Sequence, residues 1–288
     1  MDTKITKKNR NTYILAAASF VVILVAIYFL FVFHKAPKGI KKSDSGNQLQ
    51  DLSQVDLKNK PYITLTPTPE GAELILSIEN MSYFDKIEYE LTYLADNPQV
   101  PGEKIQRGST GSDVNTKDPK YKKDMLLGTA SKGVKSPDRG ITDGKLTLHL
   151  TKGDTEYQSD SQWYMVEIGS KPITVTDANN TVSLDVPATL GKTYWMVLAD
   201  TISVPPTYDH DIKSTITPIW GTFSVAPKFS KNIEVKIKLQ QDAAKPVIHA
   251  FNLQESKWSD PQTNYSASDK TVSTSTDTFQ TFVVESTK

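Results

Sequence analysis

From Tyr62 onward the apolar residues recur at every second position, and that period decides the fold class. Ile87, Tyr89, Leu91 and Tyr93 alternate with Glu88, Glu90 and Thr92, and Ile233, Val235, Ile237 and Leu239 alternate with Glu234, Lys236, Lys238 and Gln240. Successive side chains of a strand point to opposite faces, so each run reads as a strand with one buried face. Residues 72–79 (Leu74, Leu76, Ile78) and 145–151 (Leu146, Leu148, Leu150) repeat the pattern. Further strands are predicted over 163–168, 181–186, 193–199, 215–225, 247–251, 271–275 and 278–285, with turn signals at Asp143-Gly144, Gly153-Asp154, Ala178-Asn179-Asn180 and Gly191-Lys192. No amphipathic helical stretch of a dozen residues occurs after residue 60. The spacing predicts an all-β body of antiparallel sandwiches. About fifteen strands is roughly twice what one sandwich of about 100 residues needs. A boundary near Gly169-Ser170-Lys171-Pro172 therefore divides the body into two β-sandwich modules, residues 61–169 and 170–288.

The N-terminal part obeys a different rule. Residues 13–33 (YILAAASFVVILVAIYFLFVF) contain no charge, Gly or Pro. At about 1.5 Å per residue a helix of that length spans about 30 Å, the thickness of a bilayer core. A single transmembrane helix is expected, with residues 1–12 as a tail. Cleavage as a signal peptide is disfavoured, because the run ends in Phe31-Val32-Phe33-His34-Lys35 instead of small residues. Orientation stays open on charge alone: Lys4, Lys7, Lys8 and Arg10 before the helix are matched by Lys35, Lys38, Lys41 and Lys42 after it. Residues 34–60, polar and Lys-rich with Pro37, Gly39 and Gly46, have the composition of a flexible stalk, with a hint of one short helix at Leu49, Leu52 and Asp56.

The chain carries 33 Lys/Arg and 33 Asp/Glu, yet residues 1–42 hold eight of the former and one of the latter. The body is correspondingly acidic and a poor partner for nucleic acid. With no cysteine there is no disulfide framework, thiol nucleophile, iron–sulfur ligation or thiolate zinc site. Motifs for a P-loop (Val186 stands where Gly191-Lys192-Thr193 would need a glycine), G-x-S-x-G, H-E-x-x-H and the EF-hand are absent. No cofactor is expected, and the body is expected to fold without metal. Glycoside hydrolases need only two carboxylates at no fixed sequence spacing, so a membrane-tethered envelope hydrolase using such a pair is the alternative to a noncatalytic protein.

Three features offer binding chemistry. Residues 100–145 hold half of the chain's 14 glycines, with Lys117, Lys120, Lys122 and Lys123 around Tyr121, and read as a long basic connection between strands. Trp258 stands alone in a polar stretch, Ser256-Lys257-Trp258-Ser259-Asp260. Asp209-His210-Asp211 follows Pro205-Pro206 in a loop, where two carboxylates flanking an imidazole are the chain's one local candidate for a cation site. His149 and His249, each between apolar neighbours, fall at outward strand positions and are expected to face solvent.

The words KIEYELTY (86–93), DMLLGTA (124–130) and GKLTL (144–148) resemble those of membrane-anchored, fibronectin type III-like or Ig-like extracytoplasmic proteins of uncultured bacteria, a family with no assigned function. The final sixty residues, ending in Phe282-Val283-Val284-Glu285, are similar to the closing strands of bacterial surface β-sandwich modules. The resemblance implies a body outside the cytoplasm on a cell-membrane anchor. Separately from the resemblance, the expected function is that of a noncatalytic surface protein serving adhesion, envelope organisation or ligand binding, with an envelope polysaccharide or a surface protein as partner.

Overall fold

The computed structural model describes residues 49–286, all of which belong to one compact unit. They form twenty strands and three single-turn 3₁₀ helices. Four strands come before residue 100: β1 (Leu49–Asp51), β2 (Tyr62–Pro67), β3 (Glu73–Glu79) and β4 (Lys86–Asp96). The region 100–145, expected to be a long connection, is instead mostly strand. It holds β5 (Lys104–Gly111), β6 (Lys120–Leu126), β7 (Gly128–Ser131), β8 (Val134–Pro137) and the start of β9 (Thr142–Lys152). Its glycines and lysines hide the period of two, because these strands bury few apolar side chains; β8 buries none.

The chain continues through β10 (Thr155–Ile168), β11 (Ile173–Thr176), β12 (Val182–Val186), β13 (Tyr194–Asp200), β14 (Thr215–Phe223) and β15 (Ile233–Lys238). It closes with β16 (Pro246–Asn252), β17 (Lys257–Ser259), β18 (Asn264–Ser266), β19 (Thr271–Thr276) and β20 (Thr281–Ser286). Gly153-Asp154 makes the two-residue turn between β9 and β10, where Lys152 pairs with Thr155 and Gly153 takes φ 56°. Asp143-Gly144 is not a turn. It opens β9 where the β4–β9 register shifts, and Asp143 takes φ 52° there.

One ten-stranded sheet organises the body in the order β17-β16-β20-β14-β13-β10-β9-β4-β5, with β1 added in parallel to β10. A three-stranded sheet, β2-β3-β6, and a five-stranded sheet, β11-β12-β15-β19-β18, pack against it, and β7-β8 is a separate hairpin. The alternation along β13 shows how. Val197 and Ala199 enter a core with Ile63, Leu65, Leu74, Leu76 and Ile78 of the small sheet. Met196 and Leu198 enter a second core with Leu184, Val235, Ile237 and Val272 of the five-stranded sheet. Neighbouring residues of a strand face opposite ways, so the two cores lie on opposite faces of the shared sheet. Both are lined by the predicted apolar sets: Ile87, Tyr89, Leu91 and Tyr93 in the first, Ile233, Val235, Ile237 and Leu239 in the second.

The long sheet continues across the module boundary expected near Gly169-Ser170-Lys171-Pro172. β10 pairs with β13 along six residues, from Trp163↔Ala199 to Ile168↔Tyr194. Residues 49–60, which composition assigns to the stalk, are packed on the body. Leu52 and Val55 are buried in the first core, and Asn80 Nδ2 donates to the carbonyls of Lys58 and Lys60, each at 2.8 Å. The short helix hinted there is two 3₁₀ turns, Leu52–Gln54 and Leu57–Asn59. The apolar run 13–33 lies outside the described residues; among the described residues no helix is long and apolar enough to cross a membrane.

Candidate functional site

The basic stretch does not form one patch. β6 is an edge of the small sheet, and its side chains alternate between faces. On one face Lys120 Nζ reaches Glu79 Oε1 at 2.5 Å, and Lys122 stands exposed opposite Ser77. On the other the Tyr121 hydroxyl donates to Asp113 Oδ1 at 2.8 Å and Lys123 Nζ meets Asp113 Oδ2 at 3.3 Å. Burial, with Tyr89 and Asp113 beside it, pushes the Tyr121 hydroxyl well above the usual phenol range. Lys117 lies in the preceding turn, where its backbone N–H donates to Asn115 Oδ1 at 3.2 Å. Lysines on an edge strand discourage pairing with a foreign strand, a role that suits Lys120, Lys122 and Lys123 on β6.

Trp258 is elsewhere, on the terminal strand β17 of the long sheet. Its ring packs 5.1 Å from both Phe251 and Tyr208, and its Nε1 donates to Thr207 Oγ1 at 3.1 Å. It marks a site that local spacing does not reveal. Val204, Ile219 and Val283 form a third, small core, with Tyr208, Ile212 and Trp258 packed on it. Because Ile248 and Ala250 belong to the second core, His249 points to the opposite face, opposite Val283. That face is not solvent: the segment 204–214 folds across it. His249 is 7% exposed, which corrects its expected outward position, whereas His149 is exposed as expected.

The segment is held at several points. Ser203 Oγ donates to the Leu57 carbonyl at 2.8 Å, and Tyr208 N donates to the Pro205 carbonyl at 3.0 Å. Asp211 caps the 3₁₀ turn Ile212–Ser214, its carboxylate accepting from Lys213 N at 3.0 Å. The side chain of Asp209 is 84% exposed, 3.6 Å from His210 Nε2. The three consecutive residues thus take separate tasks, and His210 turns inward to stack on His249 with ring centroids 3.9 Å apart and planes 23° apart. Tyr208 walls the pair, 5.3 Å from the His210 ring and 6.2 Å from the His249 ring, and burial pushes its hydroxyl up to about 12.

His249 meets a carboxylate at each nitrogen: Nδ1 lies 2.7 Å from Asp260 Oδ1 and Nε2 3.2 Å from Glu285 Oε2. Glu285 is itself held, since Ser214 Oγ donates to its other oxygen at 2.7 Å. This is not a nucleophilic triad. The hydroxyl bonds the carboxylate, and both imidazole nitrogens are occupied by acids, leaving neither to take a proton from a hydroxyl. Donor atoms of His210, His249 and Asp260 lie within 4.8 Å of one another, a set that could hold a metal ion.

Two grooves bear on catalysis. One, of about 390 Å³, lies between β9, β10 and β11 and has Asp143 as its only acidic wall. The other, of about 420 Å³, is lined by Leu49, Gln50, Asp51, Gln158, Ser159 and Asp160, bringing two carboxylates to one groove. The Ser53 backbone N–H, 2.6 Å from Asp51 Oδ1, holds the Asp51 carboxyl below its usual range. Burial raises that of Asp160, but bonds from Lys145 and Thr147 outweigh it and hold it low as well.

Compared with known proteins, the sequence matches no protein-family model and no curated protein.

Proposed function

We propose that the chain is a noncatalytic surface protein: residues 13–33 anchor it in the cell membrane, and the β body stands outside the cytoplasm for adhesion, envelope organisation or ligand binding. The two cores would correspond to two fibronectin type III-like or Ig-like modules fused through a shared sheet. The apolar run and the family resemblance support the anchor and the outward body. An envelope polysaccharide or a surface protein is the partner class.

The observation that carries the noncatalytic reading is the state of Asp51 and Asp160. A glycosidase needs one carboxyl of its pair kept protonated by a raised pKa, as the acid that gives its proton to the departing glycosidic oxygen. Here both are held below the ordinary range by donors. The direct test incubates membrane vesicles bearing the full chain with size-defined envelope polysaccharide. Retention of glycan at unchanged length supports the proposal; shortening that disappears in Asp160→Asn favours the tethered hydrolase.

A further inference from the structure

We infer that His210, His249 and Asp260 form a binding site for one divalent transition-metal ion of the zinc class, pinning the segment 204–214 to the end of the long sheet. The inference is independent of the proposed anchor and partner. Three donors come from three places in the chain: His210 from the loop, His249 from β16 and Asp260 from the residue after β17. Two imidazoles and a carboxylate are a donor set that suits zinc, with a fourth position left for water or an outside ligand. His210 and Asp260 lie at the surface, so that position would open to solvent.

A second observation points the same way. A neutral imidazole has one N–H and one lone pair, so it can donate to only one of two carboxylates. His249 faces two, at 2.7 and 3.2 Å. Glu285, largely buried and fixed by Ser214, is placed to take the Nε2 proton. The Nδ1 lone pair then points at Asp260, and a cation between them removes the clash of two acceptors. A histidine that ligates through one nitrogen and donates from the other to a carboxylate is the usual outer arrangement of such sites. Zinc–nitrogen and zinc–oxygen bonds of about 2.0–2.2 Å put tetrahedral donors about 3.3 Å apart, so loading brings donors within 4.8 Å of one another closer by up to about 1.5 Å. His210 and Asp260, the two exposed ligands, can supply that movement.

The test uses the full chain in detergent, stripped with chelator and titrated with Zn²⁺ calorimetrically and with Co²⁺ by visible absorption. Wild-type protein is expected to bind one ion per chain, with the absorption of four-coordinate cobalt. His210→Ala and Asp260→Asn, both at exposed positions, should each weaken binding at least tenfold, with a cooperative metal-free melting transition recorded for each to show that it is folded. Glu285→Gln should weaken it by about tenfold through the orientation of His249. Absence of saturable Zn²⁺ binding by the wild type overturns the inference. So does binding that His210→Ala and Asp260→Asn leave unchanged.

Discussion

The hydroxyls of Tyr62 and Thr281 lie 2.7 Å apart in the interior, joining β2 to β20 across 219 residues of chain. Burial pushes the Tyr62 phenol far above its usual range, so it stays a neutral hydrogen-bonding group. Tyr62→Phe removes one partner and leaves the Thr281 hydroxyl buried without it, at a cost of about 1–3 kcal/mol. Adding Thr281→Val to Tyr62→Phe should cost less than the sum of the single changes, as read by urea unfolding of a chain lacking residues 1–46.

Gly144 faces Trp163 directly across β9 and β10, and a Cβ there would run into the indole ring. Trp163 is 1% exposed and packs edge-on to Tyr93 with ring centroids 6.0 Å apart, so it has no room to retreat. Gly144→Ala is expected to destabilise the body by about 1–3 kcal/mol through overpacking. Gly153→Ala, at a turn where a Cβ meets nothing within 4 Å, is the comparison; its positive φ of 56° limits the cost to backbone strain of about 1 kcal/mol. Parallel denaturant titrations of the two variants check the order.

Asp200, at the end of β13, has its carboxyl raised to about 6 by burial, against the backbone N–H of Ile202 and the charge of Lys60. Folding therefore favours its protonated form. Its contribution is most favourable below pH 3.8, its unfolded value, and is lost as the pH rises through about 6. Asp200→Asn removes that dependence, so the variant should gain on wild type between pH 4 and pH 7, by at most about 3 kcal/mol at 1.36 kcal/mol per unit. The measurement is the difference in unfolding free energy between the two proteins at each pH. It cancels the acid-side losses of carboxylates such as Asp85 and Asp185, which hydrogen bonds hold below their usual range.

The shared sheet makes a prediction about cooperativity. Val197, Ala199, Ile202 and Phe223, all beyond residue 169, complete the core that the N-terminal half begins. Residues 47–169 alone should fail to give a cooperative transition, and residues 47–288 should unfold in one step, with Trp fluorescence and circular dichroism coinciding. Separate transitions for the two halves would mean that the β10–β13 pairing contributes little.

Much of the strand pattern was legible because it needs only one buried face: β4, β9 and β15 appear in the sequence as clean alternation. The exposed strands β5 to β8 carry no such signal, and their lysines and glycines imitate a loop. The histidine cluster was half legible. His210 stood out beside two acids, but periodicity reveals which face His249 occupies without revealing what covers that face. Nothing local connects residues 210, 249, 260 and 285; the folding of 204–214 over β16 and β20 does. The sheet shared by both halves was equally hidden, since a pairing such as Trp163↔Ala199 leaves no trace in spacing.

The proposed function requires that residues 13–33 carry the body outside the cytoplasm. The most direct measurement adds protease to intact spheroplasts carrying the chain tagged at each end. Loss of the C-terminal tag with residues 1–12 spared, and the remnant kept in the membrane pellet after a carbonate wash, is the expected result. Protection of the C-terminal tag until lysis, or a soluble body beginning near residue 36, would contradict it.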